Sequence, residues 1–248
     1  MNRPVLVVQH TAVCPPNRVG RWLSEAGCDW RAVRPYAGEP QPVDLSRFSG
    51  LVVLGGEMGA YDDEAAPWLP ATRALLAQAV SEAVPTLAIC LGHQLLAVAC
   101  GGAVSRSPLG QQGGTVGVGL VPAAAADPLF SAVPVDAVAT HWNNDIVTAL
   151  PPGAVELART PAGVQAMRLG DAAWGVQFHP EVDLDTAGSW AAADVSSGHL
   201  SPERARAWLA SIEADDAALV RTWGPFARRF AALASSGGLH HPTAVDHR

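Results

Sequence analysis

Short apolar runs alternate with longer stretches of helical period along the first hundred residues of the chain. Val5 to Gln9 reads as a buried strand, and the helix expected near Arg18 to Ala26 stops at Gly27. Asp29 to Val33 reads as a short strand, Pro35 to Pro42 as a loop, and Leu51 to Leu54 as another strand. Pro67 introduces a helix over Trp68 to Ala83. Thr86 to Ile89 is again apolar, and the Leu- and Ala-rich stretch after it predicts a helix to Cys100, ending at Gly101-Gly102. Such β-α-β repetition predicts a largely parallel sheet covered by helices, with ligands at the carboxyl ends of its strands.

The second half changes character. Thr115 to Val121, Ala137 to His141, Val155 to Ala158, Val164 to Arg168 and Ala173 to Phe178 read as strands joined by Pro- and Gly-containing turns, an antiparallel meander. Pro202 to Leu233 reads as a helix with Ser201 as N-cap and Glu203 against the dipole. Ser235 to Arg248 has the composition of a frayed tail, in which His240-His241 reads as unstructured rather than metal-binding. The expected fold is α/β: three layers, a mostly parallel central sheet with helices on both faces, flavodoxin-like, plus a small antiparallel meander and a helical C-terminal extension. Residues 1–200 are expected to form one main domain, 201–234 a helical extension packed on it, and 235–248 a flexible tail.

Candidate chemistry begins where the Thr86 to Ile89 strand ends. Cys90 falls on the sharp turn between that strand and the next helix, and Gly92 keeps the corner free of side-chain bulk. A thiol there faces unpaired N–H groups and the positive end of the helix dipole, which favour negative charge. This is nucleophile-elbow geometry with cysteine in place of serine. A small core cysteine beside a helix start fits the same segment.

Trp174 to Val182 starts as an apolar strand and ends in His179-Pro180-Glu181. Pro180 pushes His179 toward extended backbone, where residues i and i+2 point to one side. The Glu181 carboxylate can then hold one imidazole nitrogen while the other faces outward, as the orienting acid of a catalytic triad does. An unrelated surface histidine and glutamate at a strand end also fit these residues.

Taken together, Cys90-Leu91-Gly92-His93-Gln94 and Gly175-Val176-Gln177-Phe178-His179-Pro180-Glu181 resemble the class I glutamine amidotransferases, a family with a Cys-His-Glu triad. Nucleophile, base and orienter stand in the family's chain order. Leu51 to Asp62, a strand running into Gly55-Gly56-Glu57-Met58-Gly59, is a third match, and the similarity runs from about Pro4 to about Asp183. The resemblance implies that Cys90 attacks a glutamine side-chain amide and forms a γ-glutamyl thioester. His179 then acts as acid and base, and Glu181 orients it. It also implies an oxyanion hole from the backbone N–H groups of Gly56 and Leu91, and substrate contacts from Gln94, Asn144 and Asp145. Tyr61-Asp62 is expected to shape the glycine loop, and His93 to support the elbow.

Two departures stand out. The loop over the glutamine α-groups reads His141-Trp142-Asn143-Asn144-Asp145, where many relatives carry His-Gly-Asp or His-Ser-Asp. Asparagine tolerates left-handed backbone, so the loop shape is expected to survive. Gln112 stands where close relatives often place a glutamate, which weakens the expected hold on the α-amino group. Trp142 is a candidate to stack on a bulky leaving group, or else a core tryptophan.

Composition sets bounds. With 49% hydrophobic and 16% charged residues the chain has a folded enzyme's profile, and a net charge of −7 argues against a nucleic-acid partner. Arg221, Arg228 and Arg229 read as a solvated helix face. Four cysteines without Cys-x-x-Cys spacing, no signal-like N-terminus and no membrane-length apolar run give the expectation of a reduced cytoplasmic protein. Cys14, Cys28 and Cys100 carry no sign of an activating environment. No metal-ligand set or phosphate loop is present, so no cofactor is expected. Too few residues follow Val182 for a synthase domain of ordinary size. The expected partners are a small γ-glutamyl substrate and a possible separate synthase that receives ammonia. A γ-glutamyl peptidase, or a non-catalytic relative, is the alternative.

Overall fold

The computed structural model describes residues 3–236, so the His240-His241 pair and nearly all of the expected tail lie outside them. The first half follows the β-α-β plan: β1 (Val5–Val8), α1 (Asn17–Glu25), β2 (Trp30–Val33), β3 (Gly50–Val53), α2 (Leu69–Ser81), β4 (Thr86–Ile89) and α3 (Leu91–Ala99). Then come β5 (Ala103–Arg106), β6 (Gln112–Gly117), β7 (Val138–Asn143), β8 (Asp145–Ala149), β9 (Val155–Thr160), β10 (Gly163–Leu169), β11 (Ala173–Val176), α4 (Leu184–Ser196) and α5 (Pro202–Ser235).

The described residues form a seven-stranded sheet ordered β2-β1-β3-β4-β11-β10-β9, with β5-β8 and β6-β7 as two separate ribbons. The strands β2, β1, β3, β4 and β11 run parallel, while β10 and β9 are antiparallel additions. Alternate side chains serve opposite faces. Val5, Val7, Val52, Leu87 and Ile89 pack with α1 and α5, whereas Leu6, Val8, Leu51, Val53 and Ala88 pack with α2 and α3. This two-sided burial is why the strands read as unbroken apolar runs.

The second half needs correction in detail. The β9-β10-β11 meander widens the central sheet, because β11 pairs parallel with β4. The strand expected from Thr115 to Val121 is displaced to Gln112–Gly117. Two strands, β5 and β8, went unforeseen: their half-exposed faces give no clean apolar alternation. Helix α4 was equally faint, since it buries only Ala187, Trp190 and Ala191.

Helix α5 starts as expected, with the Ser201 hydroxyl capping the Arg204 N–H. It docks on β6 through Gly113, where an added Cβ would lie 2.2 Å from the Trp208 ring. Farther along, Trp223 and Phe226 pack against Phe178 and Phe130. Arg229 does not belong to a solvated face, because its guanidinium is held by Pro128 O and Ser131. Among the described residues no helix is long and apolar enough to cross a membrane.

Candidate active site

Strand register delivers the candidate residues to one place. Val176 pairs with Ile89 across parallel strands, so the chain leaves β11 at Gln177 beside the exit of β4 at Cys90. The Cys90 N–H donates to Val176 O at 2.8 Å. Cys90 takes φ 51° and ψ −105°, a left-sided conformation rare for a residue with a Cβ, and its carbonyl opens α3 by accepting from Gln94 N–H. Such a corner costs on the order of 1–3 kcal/mol and persists because packing over-determines it. Gly92 shows how tightly: a Cβ there would stand 2.3 Å from Val53 O.

His179 sits past β11, with its N–H donated to Thr140 O. Its Nδ1 lies 2.7 Å from Glu181 Oε1, and both side chains are buried. Burial opposes charging the imidazole, but the Glu181 carboxylate and the Cys90 sulfur outweigh it and hold His179 well above its ordinary pKa. A Cβ on Gly55 would lie 3.0 Å from His179 Cε1 and 3.6 Å from Cys90 Cβ, so glycine there lets imidazole and thiol share one corner. Gly56 is as confined, against Met58, Leu91 and His10.

Cys90, His179, Gly56, Gln94, Asn144 and Asp145 line one cavity of about 950 Å³. Glu181 stands behind His179, and Leu91 is buried as the first residue of α3. Gln94 is less free than a substrate contact would be: its Nε2 donates to Asp145 O at 3.0 Å and to Gln177 Oε1 at 3.3 Å. Asn143 and Asn144 are not left-handed. The expected loop is two strands, β7 and β8, joined at Asn144. Gln112 bonds Gly110 O, and its neighbour Gln111 lines the cavity instead. The Asp62 carboxylate accepts the Gly59 N–H at 2.7 Å and so shapes the glycine loop. His93 is fully buried between α3 and Gly175, and burial pushes its pKa down to about 3.

A glutamine amidotransferase class-I family model matches residues 18–194. The chain belongs to the class I glutamine amidotransferase family. In architecture this family member matches a glutamine amidotransferase from Methylobacillus flagellatus with a TM-score of 0.80, 28% identity and 100% of both chains covered. A glutamine amidotransferase from Thermotoga maritima matches at TM-score 0.80 and 25% identity, over 95% of this chain and 99% of that one. A putative glutamine amidotransferase-like protein of Salmonella typhimurium is 30% identical over 173 residues, covering 66% of this chain and 70% of that protein. A glutamine-hydrolysing GMP synthase of Thermomicrobium roseum is 34% identical over 140 residues, 56% of this chain, which spans only 24% of that longer protein.

Gln177, Trp190 and Asp194 of this amidotransferase-family site escaped the sequence reading. Gln177 donates its amide to Cys90 Sγ at 3.6 Å. The i, i+2 spacing that pairs His179 with Glu181 also puts Gln177 on that side, so the signal was present. From the faint helix α4, Trp190 packs against His179, and Asp194 Oδ2 accepts both Trp142 Nε1–H and Gln111 Nε2–H. Trp142 lines the cavity while wedged between Trp190 and Trp208. Cys14 also lines the cavity. Burial first, then the Glu181 carboxylate, push its thiol far up, which keeps it protonated.

Proposed function

We propose that this chain hydrolyses the side-chain amide of glutamine to glutamate and ammonia. The observation that carries the reading is Cys90 on a strained elbow beside a buried imidazole that a carboxylate holds at 2.7 Å. Cys90 sulfur attacks the amide carbon, and the carbonyl oxygen becomes an oxyanion facing the backbone N–H groups of Gly56 and Leu91. Fixed donors of this kind contribute about 3–4 kcal/mol in comparable sites. His179, charged at neutral pH, gives its proton to the departing nitrogen as the C–N bond breaks and a γ-glutamyl thioester remains. The neutral imidazole then takes a proton from water, which attacks the thioester; the C–S bond breaks, the new γ-carboxyl group gives its proton to the released ammonia, and the sulfur is left as the anion beside the charged imidazole. Glu181 orients the ring, and the Gln94–Asp145 corner with Asn144 holds the glutamyl end.

The ammonia suits a separate synthase, as the glutamine-hydrolysing synthase relatives couple the two activities in longer chains. A second reading draws on the size of the cavity. About 950 Å³ lies at the upper end for drug-sized ligands and exceeds what one amino acid fills. Its Trp142 and Trp190 side gives room for the leaving group of a γ-glutamyl amide other than glutamine, the reaction of a γ-glutamyl peptidase. The deciding measurement is kcat/KM on glutamine and on a panel of γ-glutamyl dipeptides. Equal or better use of glutamine supports the amidotransferase, whereas a tenfold preference for a dipeptide, about 1.4 kcal/mol, overturns it. A glutaminase-labelling diazo-ketone is expected to attach to Cys90 and to be lost in Cys90→Ala.

A further inference from the structure

The cavity continues past the thiol and imidazole along helix α4. Ser189, Ala193 and Ser197 follow one another at one-turn spacing and all three line the cavity, so small side chains floor a groove. At the helical rise of about 1.5 Å per residue, the stretch from Ser189 to Ser197 is about 12 Å long. Trp190 and Trp142 wall it. Ring contacts run from the His179 imidazole to Trp190 at 4.9 Å, on to Trp142 at 6.0 Å and to Trp208 at 5.1 Å. The last indole carries a cation, since the Arg204 guanidinium lies 4.9 Å over the Trp208 ring. Arg204 also lines the cavity.

This far end is held in place by side chains. Asp194 Oδ2 accepts from Trp142 Nε1–H and from Gln111 Nε2–H, both at 2.9 Å, and Gln111 O accepts from Arg204 Nη2 at 3.3 Å. One N–H of Arg204 is thereby used, while its remaining donors meet no acceptor and no carboxylate among the described residues. The last carbonyls of α4 are also spent: Ala193 O, Asp194 O and Val195 O accept the N–H groups of residues 197–200. Arg204 lies in the first turn of α5, the end of a helix that favours negative charge. A positioned guanidinium with spare donors suits a carboxylate.

We propose that this groove is a leaving-group site for an elongated amine with a terminal carboxylate, the amine joined to the γ-carbonyl at Cys90 and the carboxylate paired with Arg204. Extended chain covers about 3.5 Å per residue, so the groove holds roughly three residues. The chemical class is therefore a γ-glutamyl group on a short peptide with a free C-terminus, its apolar side chains lying on Trp142 and Trp190. His179 protonates the peptide nitrogen as the C–N bond breaks, and the freed peptide leaves along α4. The proposal rests on the γ-glutamyl reading with a leaving group larger than ammonia, and deepens it. Glutamine leaves the groove empty and is not excluded by it.

The deciding measurement is kcat/KM of the full chain on γ-glutamyl-trialanine and on its C-terminal carboxamide, which has the same length without the charge. The wild type is expected to favour the acid at least tenfold. In Arg204→Gln that ratio should fall below threefold, whereas a merely structural role for Arg204 lowers both rates and keeps the ratio. Ala193→Leu, at an exposed helix position, fills the groove floor and should cut the rate on γ-glutamyl-trialanine at least tenfold relative to glutamine. Equal use of acid and carboxamide by the wild type, a ratio kept in Arg204→Gln, or no loss in Ala193→Leu overturns the proposal. So does hydrolysis of glutamine with none of γ-glutamyl-trialanine, a result that leaves the glutamine reading standing. If no γ-glutamyl amide is hydrolysed, the functional reading fails on its own, and the groove is judged by tryptophan fluorescence during titration with trialanine. Binding that Arg204→Gln weakens at least tenfold supports the site. Absence of binding, or binding that Arg204→Gln does not weaken, refutes it.

Discussion

The indole of Trp190 stands edge to face against the imidazole of His179, with ring centroids 4.9 Å apart and planes at 65°. Its own position is fixed at both ends: Nε1–H donates to Val13 O at 2.7 Å, and Asp183 caps the helix that carries it through the Thr186 N–H. Trp190 thus walls one side of a ring whose other support is Glu181. Trp190→Ala is expected to lower kcat by about 10–100-fold through misplacement of the ring. The alkaline limb of the pH–rate profile should move toward acid, and Trp190→Phe should keep most of the activity. An alanine variant with unchanged kcat and pH profile removes Trp190 from any positioning role.

Gly92 contributes to stability through the side chain it lacks. The atom in the way of a Cβ is Val53 O, a backbone oxygen in the middle of the sheet at 2.3 Å, and it cannot swing aside as a side chain could. Gly92→Ala is therefore expected to push α3 off β3 and cost about 1–3 kcal/mol or more. Urea unfolding followed by tryptophan fluorescence gives the number. A midpoint equal to wild type would mean that the elbow has slack to give.

How far these features were legible depends on how each residue is buried. The strands β1, β3 and β4 are enclosed on both faces, so their apolar runs announced them within a residue. Cys90, His179 and Glu181 were legible because strand ends and a proline constrain local geometry without help from distant chain. Ribbon β5-β8 and helix α4 were not, since each buries only part of one face. Trp190 and Asp194 reach the cavity from α4, and their roles depend on tertiary placement that local pattern does not encode. Gln94 shows the reverse failure: its place was read correctly, but not that its amide nitrogen is spent on Asp145 O.

Buried histidines make the fold acid-sensitive in a window that separates them from carboxylates. Burial lowers His10 to about 4 and His93 and His141 to about 3, so all three are neutral in the folded chain. Unfolding restores values near 6.5, so below that pH the unfolded state binds more protons and stability falls. Each neutral histidine adds a slope approaching about 1.4 kcal/mol per pH unit. His179 has the opposite sign: its raised folded pKa contributes stability that is complete below pH 6.5 and fades as pH rises above it. Urea midpoints should therefore drop steeply from pH 6.5 to 5, where few carboxylates titrate. A flat midpoint over that interval would show that these imidazoles are already charged or solvated.

Glu181 offers the sharpest separation of charge from shape. It meets His179 at 2.7 Å with both side chains buried, and Glu181→Gln keeps an oxygen that can still accept the Nδ1–H. What the amide cannot supply is the negative charge that offsets burial. In the glutamine variant burial is left opposed by Cys90 alone, so the pKa of His179 falls and less of the imidazole carries a proton at neutral pH. Two results follow for any accepted γ-glutamyl amide. Turnover should fall by about 10²–10⁴-fold, less than in Cys90→Ala or His179→Ala, because orienting and charging the base is an indirect contribution. The alkaline limb of kcat/KM should also move to lower pH, since that limb follows loss of the proton His179 gives to the leaving nitrogen. If Glu181→Gln keeps the wild-type rate and profile, the hydrogen bond alone positions the ring and the carboxylate charge is dispensable. If Glu181→Ala loses as much as His179→Ala, the imidazole has no working position without its partner.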